Sequence, residues 1–151
     1  MAFTGPGEDR LLVRELIESY ADAVTRRDAA AWAALWAEDA RWSMPDLGTG
    51  VELAGKSTIV SAWIGMMAQY HGPADAPWAF SFVSILGGMA IDGDRATARS
   101  TSIEAFDDGT GRTVRLRGRY DDEMVREDGR WLFAVRTWRL MPLEDHGEMA
   151  A

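Results

Sequence analysis

Apolar positions recur at helical spacing through the first part of the chain. From Asp9, a residue type that caps helix N-termini, Val13, Leu16, Ile17, Tyr20, Ala21 and Val24 form one stripe, which turns Tyr20 inward. Arg26 and Arg27 suit the C-terminal end of that helix. Asp28 can cap a second, alanine-rich helix that carries Trp32, Leu35 and Trp36 on one side and should end near Asp39. Ala40 to Met44 reads as a short strand, and residues 45–50 as a turn-rich loop. Gly55-Lys56-Ser57 leads into a third helix whose buried stripe is Ile59, Val60, Trp63, Met66, Met67 and Tyr70. The segment 71–77, with His71, Gly72, Pro73 and Pro77, is irregular and a candidate flap.

From Trp78 onward the period changes to two. Strands are expected near 79–91, 95–106, 112–126 and 130–141, separated by turns that contain Asp-Gly, so neighbours should pair as antiparallel hairpins. Gly87-Gly88 interrupts the first of these strands, where a bulge would sharpen the bend of the sheet. Helices followed by a long bent sheet make an α+β fold, with three N-terminal helices closing one face of the sheet into a cone-shaped barrel. A chain of 151 residues suits a single domain, with a core over 9–141 and flexible termini.

Composition narrows the chemistry. The net charge of -8 opposes docking to phosphate backbones or anionic lipid, so neither nucleic acid nor membrane is an expected partner. Arg115, Arg117 and Arg119 alternate on one strand face with Asp121 and Glu123, which fits a charged sheet surface or a subunit contact. With no cysteine, thiolate metal sites and disulfides are out of reach. The expected setting is soluble and cytoplasmic, because the N-terminal residues lack a basic stretch followed by an apolar run. No phosphate cradle, nucleophile elbow or metal-ligand cluster is evident, so no metal and no cofactor is expected. Seven Trp, eight Met and five Phe supply adaptable apolar surface, and Trp42, Trp63, Phe82, Tyr120 and Trp138 are the aromatics placed to line a cavity.

One charge falls on the apolar side. Leu132, Ala134, Arg136, Trp138 and Leu140 alternate on one face of the last strand, so Arg136 should point inward, where a guanidinium requires an anion or a polar ligand. Val114, Leu116, Gly118, Tyr120, Asp122 and Met124 share the inner face of the neighbouring strand. Asp122 is therefore either the ion-pair partner of Arg136 or an acid or base whose pKa burial has raised.

The element order, Tyr20 eight residues before Asp28, the run 36–42 (WAEDARW), Asp92-Gly93-Asp94-Arg95-Ala96, and the stretch from Gly118-Arg119-Tyr120-Asp121-Asp122-Glu123 through Asp128-Gly129-Arg130-Trp131 to Arg136 carry a resemblance over residues 9–141. They resemble the SnoaL-like branch of the nuclear transport factor 2 superfamily, nearest the scytalone dehydratase, bile acid dehydratase and hexachlorocyclohexane dehydrochlorinase group. The resemblance implies a cone-shaped barrel, a mostly apolar pocket, no required metal, and homodimers or homotrimers. It also implies that a tyrosine at Tyr20 and a last-strand arginine at Arg136 polarise a ligand oxygen. The resemblance places the carboxylate and histidine that perform eliminations in this group at Thr25 and at Phe82, or Ser81 if the register slips, and neither Thr25 nor Phe82 can accept a proton near neutral pH.

The resulting expectation is a small lyase or isomerase of the dehydratase kind, acting on an aromatic, polyketide-like or terpenoid molecule. Tyr20, Arg136 and Asp122 are its catalytic candidates; Thr25, Trp42, Trp63, Phe82, Tyr120 and Trp138 are its ligand-binding candidates. The alternatives are a non-catalytic binder of a small hydrophobic ligand and the small subunit of a ring-hydroxylating oxygenase.

Overall fold

The computed structural model describes residues 2–69, 80–108 and 110–141. A short strand β1 (Phe3–Thr4) precedes helices α1 (Gly7–Arg26) and α2 (Ala29–Ala33), then strands β2 (Trp36–Met44) and β3 (Val51–Ala54) and helix α3 (Lys56–Gln69). Four long strands follow: β4 (Phe80–Asp92), β5 (Arg95–Asp107), β6 (Thr113–Glu127) and β7 (Arg130–Leu140). They form a seven-stranded sheet in the order β1-β4-β5-β6-β7-β2-β3. The sheet is curved but unclosed, so the cone is completed by helices and not by strand pairing. Tyr70, the candidate flap with His71, and His146 in the acidic tail lie outside the described residues.

The four long strands pair as the period-two pattern requires, and the β4–β5 register shifts between Leu86 and Gly88. Two pairings are parallel, β2 with β7 and β1 with β4, where hairpin reasoning supplied only antiparallel neighbours. The second helix is five residues long instead of reaching Asp39. From Trp36 the chain is strand because β7 offers a partner: the amide of Phe133 donates to the carbonyl of Leu35 at 2.8 Å. Trp32 and Trp36 still enter the core, so the apolar spacing that suggested a helix reports burial and not conformation.

Asp28 caps α2, its carboxylate accepting from the Ala31 amide at 2.9 Å. Asp9 does not cap α1, which begins after Pro6. Its Oδ1 accepts from Arg126 Nη1 at 2.8 Å and from Trp131 Nε1 at 3.2 Å, tying the helix's first turn to β6 and β7.

The last strand departs from strict alternation. Register shifts between Glu123 and Met124, so Ala134 is bulged out of the β6–β7 ladder. One extra residue reverses the facing of everything beyond it. Trp131 and Phe133 therefore face inward with Arg136 and Trp138, while Leu132 and Ala134 do not join that face; Leu140 keeps the phase of Arg136 but is exposed at the end of the strand.

Candidate functional site

Arg136 is fully enclosed, at 0% exposure. Its guanidinium carbon lies 3.8 Å from the ring centroid of Tyr120, 3.9 Å from that of Tyr20 and 4.3 Å from that of Phe133. Desolvated cation–π contacts of this kind are worth roughly 2 kcal/mol or more each. The β6–β7 register sets Asp122 opposite Arg136, and Nε stands 3.1 Å from Asp122 Oδ1. The pair attracts without hydrogen-bond alignment, since neither group completes a hydrogen bond to a described residue. Burial pushes the Asp122 carboxyl up to about 7, with Arg136 opposing the rise and Asp121 adding to it.

An apolar cavity of about 100 Å³ opens beside this cluster. That is somewhat less than the roughly 150 Å³ of an engineered cavity that holds benzene. Its wall includes Trp42, Trp63, Phe82, Tyr120 and Trp138, so the five aromatics expected to line a cavity come together, and Tyr20 joins them. Met44, Met66 and Met67 make part of the remaining lining, and methionines can rotate to admit a larger ring system.

Three sequence-chosen residues do not line the cavity. Arg136 and Asp122 sit behind Tyr20 and Tyr120, because the aromatic rings cover the cation on the sides a ligand would approach. Thr25 instead clamps α1 to β4: its Oγ1 accepts from the Phe82 amide at 3.1 Å and donates to the Phe82 carbonyl at 3.3 Å. The two positions that the resemblance aligns with the family's catalytic pair thus meet in space through a side-chain-to-backbone tie.

Tyr20 and Tyr120 bring their hydroxyls to 3.5 Å of each other. Burial raises both phenol pKa values, with Arg136 pulling the other way, so both are neutral donors in the physiological range. The wall also holds a carboxylate that the sequence pattern did not single out, Glu104. It stands across from Phe82 on β4 and Leu116 on β6, and burial pushes its carboxyl up to about 7 against the lowering effects of Ser102 and Arg136. Alternation could have found it: Ala96, Ala98, Ser100, Ser102 and Phe106 are buried, and Glu104 shares their parity. Among the described residues no group of three His, Cys, Asp or Glu side chains could hold a metal ion, and no helix is long and apolar enough to cross a membrane.

A curved sheet packed with helices around an apolar cavity, with phenols and one carboxylate in its wall, is an architecture of the nuclear transport factor 2-like class. Within that class the chain belongs to the SnoaL-like domain family, which it matches over residues 7–137. No curated protein matches the chain. A candidate aromatic ring hydroxylase from Novosphingobium aromaticivorans is 26% identical, with a TM-score of 0.76, covering 92% of this chain and 94% of that one. A candidate scytalone dehydratase from the same organism is 19% identical (TM-score 0.74; 95% of this chain, 91% of the other). A ketosteroid isomerase-like protein from Erwinia carotovora atroseptica is 15% identical (TM-score 0.73; 91% and 100%).

Proposed function

We propose that this protein is a small lyase or isomerase acting on an uncharged, flat, carbonyl-bearing molecule of aromatic, polyketide-like or terpenoid type, without a cofactor. The observation that carries the reading is the pair of phenol hydroxyls, Tyr20 and Tyr120, brought together in the wall of an apolar cavity with a buried cation at their backs. Donors held ready in a water-poor site stabilise the negative charge that develops on a carbonyl oxygen when a neighbouring C–H or C–O bond breaks. Arg136 contributes through the tyrosines, as a fixed charge that makes them better donors. Asp122, 3.1 Å from the guanidinium Nε, holds it in place. Similarity to dehydratase-like and isomerase-like folds supports the reaction class and leaves the substrate to the cavity.

The sealed position of Arg136 and the carboxylate in the wall favour a neutral ligand. Thermal-shift titration should therefore raise the melting temperature with 1-indanone or 1-tetralone, and much less with carboxylated analogues of the same rings. Equal stabilisation by the carboxylates would contradict the reading. A second reading, a carrier that binds such ligands without turnover, is favoured by the clamp at Thr25 and Phe82, where a base would otherwise stand. Turnover that falls in Tyr20→Phe separates the two.

A further inference from the structure

We infer that Glu104 is the proton-transferring residue of this pocket, held with one carboxylate oxygen anchored and the other available to the ligand by a hydrogen-bond chain from Trp138 through Ser102. The inference rests on the lyase or isomerase reading above and supplies the base that reading lacks.

The direction of the chain follows from one donor. An indole nitrogen can only donate. Trp138 Nε1 lies 3.1 Å from Ser102 Oγ, so the serine oxygen accepts there. Its own proton is then free to go to Glu104 Oε1, 3.2 Å away. Oε1 is thus engaged from the strand side, and Oε2 is the oxygen available for chemistry. The indole reaches Ser102 from β7 by lying across Gly118 of β6, where an added Cβ would fall 1.8 Å from Trp138 Nε1. Gly118 pairs directly with Ser102, so the two anchors are adjacent in the ladder. Trp138, Glu104, Tyr20 and Tyr120 line the same cavity.

The other ionisable groups bearing on Glu104 are Arg136 from β7, Tyr20 from α1 and Tyr120 from β6. Burial outweighs the help of Arg136 and Ser102 and leaves the carboxyl titrating at about 7, where a base retains driving force and is still half ionised. In the forward step the Glu104 carboxylate takes a proton from the carbon next to the ligand carbonyl. The C–H electron pair moves into the enolate, whose oxygen the tyrosines hold. Glu104, now a carboxylic acid, returns that proton to the γ-carbon of an enone in isomerisation. In dehydration it gives the proton to a β-hydroxyl, which leaves as water while the enolate pair forms the new double bond.

Deuterium uptake from D2O at the α-carbon of 1-indanone, followed by NMR, tests the assignment. The wild type should accelerate exchange over buffer, with a rate that rises through about pH 7. Glu104→Gln should lower the enzymatic rate by about 100-fold or more while binding 1-indanone within a few-fold of wild type. Ser102→Ala, which keeps the carboxylate but releases its anchor, should move the midpoint of the pH profile upward, a shift that a merely structural serine would not cause. Undiminished exchange in Glu104→Gln, or an unmoved midpoint in Ser102→Ala, overturns the role of Glu104 and leaves the reaction class standing. A wild type that binds 1-indanone without exchanging its protons overturns the reaction class and this assignment together.

Discussion

Arg136 was the most informative single residue in the sequence, and its inward direction survives a change of phase that strict alternation did not contain. Ala134 bulges out, so Phe133 and Arg136, three positions apart, both face the core. What alternation could not supply was depth: the rings of Tyr20 and Tyr120 close over the guanidinium and take its place at the cavity wall. A buried cation set beside a buried carboxylate makes a sharp prediction. Arg136→Met should cost about 3–5 kcal/mol in urea unfolding at pH 8, because Asp122 loses the charge that opposes its raised pKa and must either stay buried unpaired or take up a proton against the solvent pH. The loss should shrink at pH 5, where Asp122 can bind a proton, and Asp122→Leu in the same chain should restore much of the stability. An equal loss at both pH values would show that Asp122 is not the partner that matters.

Glu104 works in the opposite sense. Its folded-state pKa lies above its unfolded value of 4.5, so between 4.5 and about 7 the native state binds more protons and stability declines as pH rises. The penalty is complete above pH 7 and, at 1.36 kcal/mol per unit, amounts to roughly 3 kcal/mol. Glu104→Gln should therefore be more stable than wild type at pH 8 by up to that amount, with the difference vanishing toward pH 4, as read from melting temperatures across the range. A variant less stable than wild type at pH 8 would contradict the cost of burying this carboxylate.

At the scale of elements, the long strands were legible because alternation over eleven or more residues is hard to mistake, and the Asp-Gly turns marked their ends. The second helix was not. Its tryptophans satisfy helical spacing, yet β2 gains more by pairing with β7, a contact about a hundred residues away in sequence that local pattern cannot encode. β3 and β1 are four and two residues long, too short for periodicity to reveal. Gly118 shows how an element carries function. Its missing side chain lets Trp138 cross β6 to Ser102, so Gly118→Ala should displace the indole, cost about 1–3 kcal/mol by overpacking and move the pH midpoint of exchange as Ser102→Ala does. A wild-type melting temperature and midpoint in that variant would mean that the indole has another seat.

For the molecule as a whole, the resemblance anticipated the family. The positions it aligns with the family's catalytic pair, Thr25 and Phe82, meet as a strap between helix and sheet. The carboxylate of the cavity wall, Glu104, stands on a neighbouring strand, across the β4–β5 ladder from Phe82 itself. The scaffold therefore sets two phenols backed by Arg136 on one side of the cavity and a carboxylate from β5 in the same wall.

The carbonyl stretching frequency of 13C-labelled 1-indanone, measured by infrared difference spectroscopy in wild type and in the Tyr20→Phe, Tyr120→Phe double variant, tests the polarising face directly. The band should lie at lower frequency than in hexane for the wild type and return toward the hexane value in the double variant. A bound ketone whose frequency is the same in both proteins would contradict it.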